Sequence, residues 1–263
     1  MPEIDSINFD TIYSFIKEDI STIDDLKILK KYKILINSTT GEYFNKKWSF
    51  FDCMYASVTL NDKHYVLNEG NIYEIKKEFH DNYQNQYKKI NIFSPLPNGV
   101  KNQKEREYLE EVCLTNPNFI LVDSKLIYKD RGAFEPCDIF NIDEKNFIHI
   151  KRYGSSKILS HLFAQAAVSA DLFMNSIIRN DIIKKIESLS SSELIKSLDF
   201  KDCKVTIAII TEKPIPDDGL VKIPFFSMVN VVRTINQILS WGYKDVGLMF
   251  IKADWYVVSF LDV

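Results

Sequence analysis

An aspartate, a histidine and a lysine stand out in this chain by type and spacing. Asp138 closes one apolar run of FEPCDIFNIDEKNFIHIKRYGSSKILSHLFAQAAVSADLF (134–173), and after a short polar turn a second run carries His149, Lys151 and Arg152. Side chains alternate faces along a strand, so His149 and Lys151 share one side and Ile148 and Ile150 the other. If the two runs pair as a hairpin, Asp138, His149 and Lys151 meet at one edge of a sheet. That is the equipment of a metal-dependent phosphodiesterase. A carboxylate holds a hard divalent cation, and the ammonium orients water or stabilises charge growing on the phosphoryl group. Plainer readings stand beside this one. Asp138 after Pro136 and Cys137 suits a turn aspartate bonded to its own backbone, and NFIHIKRY suits an edge strand with a solvated polar face.

The helix that follows places His161, Gln165 and Ser169 at successive i, i+4 positions, hence on one face. Leu159, Leu162, Phe163, Ala166, Ala167 and Ala170 form an apolar face small enough for close packing. An amide and an imidazole turned to the sheet edge would bind a phosphate or a base; a solvated helical face is the bland alternative. Substrate contacts are expected from Arg152, Ser160 and His161. Glu107 and Glu111 are i, i+4 partners on an earlier helix, and one of them could complete a metal site, although solvated glutamates on an amphipathic helix are the common alternative. Lysines interleaved with aromatics in KKEFHDNYQNQYKK could touch nucleic acid, although a solvated amphipathic helix explains them as well. The co-occurrence of acid, lysine and helix polar groups in one strand–turn–strand–helix unit favours a site.

These groups need a scaffold, and the pattern supplies one. Residues 8–36 read as helical, with strands at 33–37, 50–60 and 63–70, NIYEI (71–75), and a helix over 76–90. The Asp62-Lys63 step marks a tight hairpin, a signal the Asn61-Asp62 pair shares. SPLPNGV (94–100) is the strongest punctuation in the chain and marks a boundary. Beyond it come a helix (103–114), one or two strands in NFILVDSKLIY, strands in FEPCDIFNI and NFIHIKRY, a helix over 156–178 and another over 180–197. KVTIAII, MVNVVRTINQILSWGY and VGLMFI then give strand, helix and strand. This order predicts a mixed α/β sandwich with helices on both faces.

Bulk composition narrows the partners. The net charge of −3 gives no global basic field, so nucleic-acid contact must come from a local patch. Four cysteines without a CxxC pair argue against structural zinc. MPEIDSINFDTIYSF lacks a basic and then apolar leader pattern, and no apolar run is long enough to span a bilayer. A cytoplasmic protein with free thiols is the expectation.

The runs EREYLEEV, FEPCDIFNIDEKNFIHIKRYGSSKILSHLFAQAAVSADLF and IPFFSMVNVVRTINQILSWGYKDVGLMFI resemble a sporadically distributed bacterial family of unknown function, found near restriction–modification and phage-defence genes. KWSFFDCMYASVTLNDKHYVLNEGNIYEIKKEF resembles the stretch preceding that core, so the likeness covers about residues 47–252. The core is in turn similar to the restriction-endonuclease-like, PD-(D/E)XK, superfamily. The resemblance implies an N-terminal α+β region over 1–98 and a restriction-endonuclease-like nuclease core over 99–263. It matches Asp138 to the aspartate of the second core strand, Lys151 to the lysine of the third, Gln165 to a helix glutamine and Glu107 to a helix glutamate. Position 149 departs from it: the superfamily has Glu or Asp there, and histidine favours softer ions than magnesium. Glu135 then enters as a migrated acid.

The expectation is a nuclease that uses Mg2+ or Mn2+ on DNA in preference to RNA, as a homodimer or with a defence-system partner protein. Asp138 with His149 or Glu135 holds the cation, Lys151 positions water, and His161 and Gln165 contact phosphate or support the lysine. The rival is a binding or effector module that keeps the fold without the chemistry. Side chains converging on one point in an open cleft support the first. Side chains tied up in internal ion pairs support the second.

Overall fold

The computed structural model describes residues 26–34, 48–94, 96–129, 132–190, 195 and 198–254. The chain divides into two compact units, Met1–His80 and Asp81–Val263.

In the first unit, α1 (Leu26–Lys31) precedes β1 (Lys33–Ile34), which pairs antiparallel with β2 (Trp48–Ser49). The expected helix over 8–36 is thus seen in its last part, and residues 8–25, 35 and 36 lie outside the described residues, as do 35–37 of the expected first strand. The predicted single strand over 50–60 is broken. Phe50–Cys53 is a helical turn, α2, because Ser49 accepts from the Asp52 N–H while Asp52 accepts from the Ser49 N–H, a reciprocal cap. β3 (Tyr55–Leu60), β4 (Lys63–Asn68) and β5 (Asn71–Ile75) follow as an antiparallel meander. Its first turn has Asn61 and Asp62 at φ 49° and 61°, the two left-handed residues a tight hairpin requires. α3 (Lys77–Tyr87) runs across the division between the units.

Among the described residues, the second unit is built on a mixed sheet of seven strands. β6 (Asn91–Ile92) and β7 (Gly99–Val100) both pair with β14 (Asp245–Asp254), so the end of the SPLPNGV segment belongs to this unit. From β14 the order runs through β13 (Lys204–Thr211), β12 (Asn146–Arg152) and β11 (Ile139–Asn141) to β8 (Phe119–Leu121). β8, β11 and β12 form an antiparallel meander, and β12, β13 and β14 are parallel. NFILVDSKLIY yields two strands: β8, and β9 (Ile127–Lys129), which forms a separate hairpin with β10 (Gly132–Phe134).

Helices cover both faces. α4 (Glu105–Thr115) presents Tyr108, Leu109 and Val112 to Ile139, Ile148, Ile150, Ala208, Ile210, Met249 and Ile251. On the opposite face Phe147 stacks at 4.9 Å on both Phe140 and Phe173 of α5 (Ser156–Met174). α5 packs beside α7 (Phe225–Ser240), with Asn230 Nδ2 donating to Ser160 Oγ at 3.2 Å. β13 is buried on both sides apart from its first residue, as its unbroken apolar run requires.

The helix predicted over 156–178 ends early. Asn175 accepts from the N–H groups of Ile177 and Ile178, so it caps a new helix, α6 (Ser176–Glu187), and interrupts the old one. That second helix was expected over 180–197; residues 191–194, 196 and 197 lie outside the described residues. Among the described residues no helix is long and apolar enough to cross a membrane.

Candidate metal centre

Asp138 sits at the step into β11. Its N–H donates to Ile148 O at 3.0 Å, and its carbonyl accepts from Val122 and Asp123, both at 2.9 Å, so β12 and the turn after β8 hold its backbone from two sides. Its side chain is 4 % exposed, and Oδ2 accepts from the Ile150 N–H at 2.6 Å. Burial drives its carboxyl up to about 7, against the opposing pull of that N–H and of Lys151.

Two more acids converge on it. Asp123 follows β8 in sequence, Glu135 links β10 to β11, and one oxygen from each lies within 4.8 Å of one another and of an Asp138 oxygen. Glu135 accepts from the Ser124 N–H, and burial still raises its carboxyl above the ordinary range. Two unit charges 4.8 Å apart repel by roughly 3–4 kcal/mol at an effective dielectric constant near 20. Such crowding needs a counter-charge, and α4 and β12 provide part of it. Lys151 Nζ donates to Glu105 Oε1 at 2.5 Å, and its charge is felt by both Asp138 and Glu135. Burial works against the ammonium, but Glu105 and the other acids outweigh it and hold its pKa above the ordinary value. Arg106 pairs with Asp123 and, at 2.7 Å, with the exposed Glu110.

The arrangement suits a hard cation. Asp123, Glu135 and Asp138 offer oxygen only, the donor preferred by magnesium, manganese and calcium. Two oxygens on one magnesium ion stand at most ~4.2 Å apart, since each lies about 2.1 Å from it. The three oxygens lie within 4.8 Å of one another. Charge points the same way. Counted as ionised, Asp123, Glu135, Asp138, Glu105 and Glu110 outnumber Lys151 and Arg106 by three, an acidic surplus that a bound cation would reduce.

Residues 2–252 match the model of a family of unknown function, DUF6119. The chain belongs to this family. No curated protein and no solved structure matches it. All the groups described above lie within the DUF6119 match, and so do the other residues singled out in the sequence.

Their positions in this DUF6119 chain differ from one to the next. Asp138 and Glu135 come together, with Lys151 beside them. His149 does not join them: it is 3 % exposed, and its Nε2 has no hydrogen-bond partner among the described residues. Burial, aided by Lys151, pushes its pKa down to about 3. It is a neutral core imidazole outside the acidic group. Glu107 is exposed, and its carboxylate accepts from the Lys104 N–H at 3.3 Å, closing the start of α4 instead of facing the acids. The backbone N–H of Arg152 donates to Glu105 Oε2 at 3.3 Å, and its guanidinium to Val100 O at 2.8 Å. Ser160 is taken by Asn230, His161 is exposed and Gln165 half-buried. Ser169 turns inward and donates to Pro136 O. The i+4 step explains this spread. Each such step advances about 40° around a helix, so His161, Gln165 and Ser169 rotate from solvent into the core.

Sequence reasoning passed over Asp123, Glu105 and Arg106. Asp123 had a visible signal, an acid at the end of the apolar run FILV. Glu105 had another: with Tyr108, Leu109 and Val112 it completes an i, i+3, i+4, i+7 stripe, the buried one.

Proposed function

We propose that this protein is a metal-dependent nuclease with a restriction-endonuclease-like core, hydrolysing phosphodiester bonds of DNA in a bacterial defence setting. The observation that carries the reading is the meeting of Asp138, Glu135 and Asp123 beside Lys151. The resemblance assigns an aspartate to a second strand and a lysine to a third. In the structure Asp138 stands at the start of the second strand of the β8–β11–β12 meander, and Lys151 lies near the end of the third. Glu135 and Asp123 supply the acids that residue 149 does not. Mg2+ or Mn2+ bound by these three carboxylates would lower the pKa of a water and screen the phosphate. Lys151 would orient the attacking water and donate to the phosphoryl oxygens as charge develops. The DNA substrate and the defence setting rest on the family resemblance.

A binding or effector module without chemistry is the second reading. It is favoured by His149 standing where the resemblance calls for an acid, and by the ion pairs that occupy Lys151 and Asp123. Those pairs also suit a working site, because groups around a metal centre are held in place by partners behind them. The residual negative charge among the acids tips the balance to the nuclease.

The test is incubation of plasmid DNA, single-stranded DNA and RNA with the purified chain and Mg2+ or Mn2+, beside Lys151→Ala and Asp138→Asn. The nuclease reading expects cleavage that both variants abolish. A folded wild type that cuts none of the three, or variants that cut equally well, would turn the assignment to the module.

A further inference from the structure

The first turn of α4 touches the site twice, through consecutive residues of opposite charge. Glu105 reaches the end of β12: Oε1 accepts from Lys151 Nζ at 2.5 Å and Oε2 from the Arg152 N–H at 3.3 Å. With both oxygens engaged, the carboxylate is fixed against the strand and not merely near the lysine. Arg106 reaches the loop after β8. Its Nη1 donates to the Asp123 carboxylate and, at 3.2 Å, to the Asp123 carbonyl, while Nε is held by Glu110 at 2.7 Å. Neighbouring helix positions diverge by about 100°, which is why one turn can serve two strands.

That turn is itself well anchored. Tyr108 and Leu109 are fully buried, and the Tyr108 hydroxyl donates to Pro97 O at 2.8 Å. Glu107 closes the turn on Lys104. A lysine has many rotamers and loses them all when one is required, so a fixed carboxylate that selects one rotamer prepares the ammonium in advance. An aspartate gripped at both carboxylate and carbonyl is prepared likewise.

We propose that the first turn of α4 is the positioning element of this site, with Glu105 setting Lys151 and Arg106 setting Asp123. The inference rests on the nuclease reading for its purpose but not for its contacts, and the test separates the two.

The test uses the full chain with Glu105→Gln, Glu105→Asp, Arg106→Gln and Arg106→Lys, each first checked for an unchanged thermal unfolding transition. Acylation of Lys151 by an amine-reactive reagent at one pH, quantified by peptide mass spectrometry, reads the Glu105 contact directly. It should be several-fold faster in Glu105→Gln and partly restored to the wild-type rate in Glu105→Asp. Manganese titration reads the Arg106 contact: Arg106→Gln should weaken affinity about tenfold, with partial rescue by lysine, while Glu105→Gln leaves it within twofold. In plasmid cleavage Glu105→Gln should lower kcat with KM unchanged. Equal acylation in wild type and Glu105→Gln overturns the Glu105 half, and manganese affinity untouched in Arg106→Gln overturns the other. A wild type that binds no manganese and cuts nothing removes the nuclease reading and the Arg106 half with it. The acylation rates still decide Glu105.

Discussion

The carboxylate of Asp138 and the backbone N–H of Ile150 meet at 2.6 Å across the β11–β12 pair. The candidate metal ligand is therefore also part of the sheet's own hydrogen bonding, where the ladder begins. An asparagine side chain can accept the same bond, so loss of charge and loss of structure are separable here.

The first prediction uses that separation. Folding raises the Asp138 carboxyl to about 7 from an ordinary 3.8, so the native state binds its proton more tightly than the unfolded chain. Its contribution to stability is present below pH 4 and is lost as pH rises through 7, by an amount on the order of 4 kcal/mol at most. Asp138→Asn should thus flatten the pH dependence of stability between pH 4 and 7 and raise Tm at neutral pH. Manganese affinity of the wild type should fall as pH drops below 7, because the ligand must be deprotonated. A variant with a wild-type pH–Tm curve would show that Asp138 does not titrate in this window.

His149 supplies a contribution of opposite sign. Its folded pKa of about 3 lies below the ordinary 6.5, so its share of stability is present above pH 6.5 and lost as pH falls towards 3. His149→Leu removes a buried nitrogen without a partner and should leave stability at pH 7 within about 1 kcal/mol, or raise it. Manganese affinity should not change. His149→Glu, which restores the acid the resemblance calls for, would bury a carboxylate away from the acidic group and should cost about 3–5 kcal/mol. Denaturant unfolding of both variants decides this, and a stable, tighter-binding His149→Glu would refute it.

Ser169 ties α5 to the segment that carries Glu135 and Asp138, because its hydroxyl donates to the buried Pro136 carbonyl. Ser169→Ala leaves that carbonyl without its donor and should cost about 1–3 kcal/mol in urea unfolding. Manganese affinity should weaken with it, as the two acids flanking Pro136 lose a support. Unfolding shifted without any change in affinity would make the bond structural alone.

Much of the sheet was legible because one-residue alternation and unbroken apolar runs are strong signals. NFIHIKRY and KVTIAII became β12 and β13, and Asp138 landed at the start of the hairpin. A mixed α/β unit with helices on both faces followed from the element order. What escaped was local competition and orientation. Ser49 and Asp52 convert the start of an apparent strand into a helical turn, and Asn175 cuts a periodic helix in two. The resemblance matched Glu107 to a helix glutamate, yet the buried stripe of α4 runs through Glu105. Residues two apart on a helix face nearly opposite ways, so this small difference in position decides which glutamate meets the lysine. His149 follows the alternation and still misses the acids: a period says which face a side chain takes, not which side chains of neighbouring elements will lie near it.

The order of residues along the chain has a consequence for assembly. Glu105, Arg106, Asp123, Glu135, Asp138 and Lys151 all lie between the start of α4 and the end of β12. The antiparallel pairing that gathers them joins near neighbours, Ile139 with Ile148, whereas the parallel pairing of β12 with β13 joins Asn146 to Lys204 across α5 and α6. Short loops close at lower entropic cost than long ones. A ribosome has therefore released every group of the site, and the hairpin that collects them, before it reaches the first residue of β13.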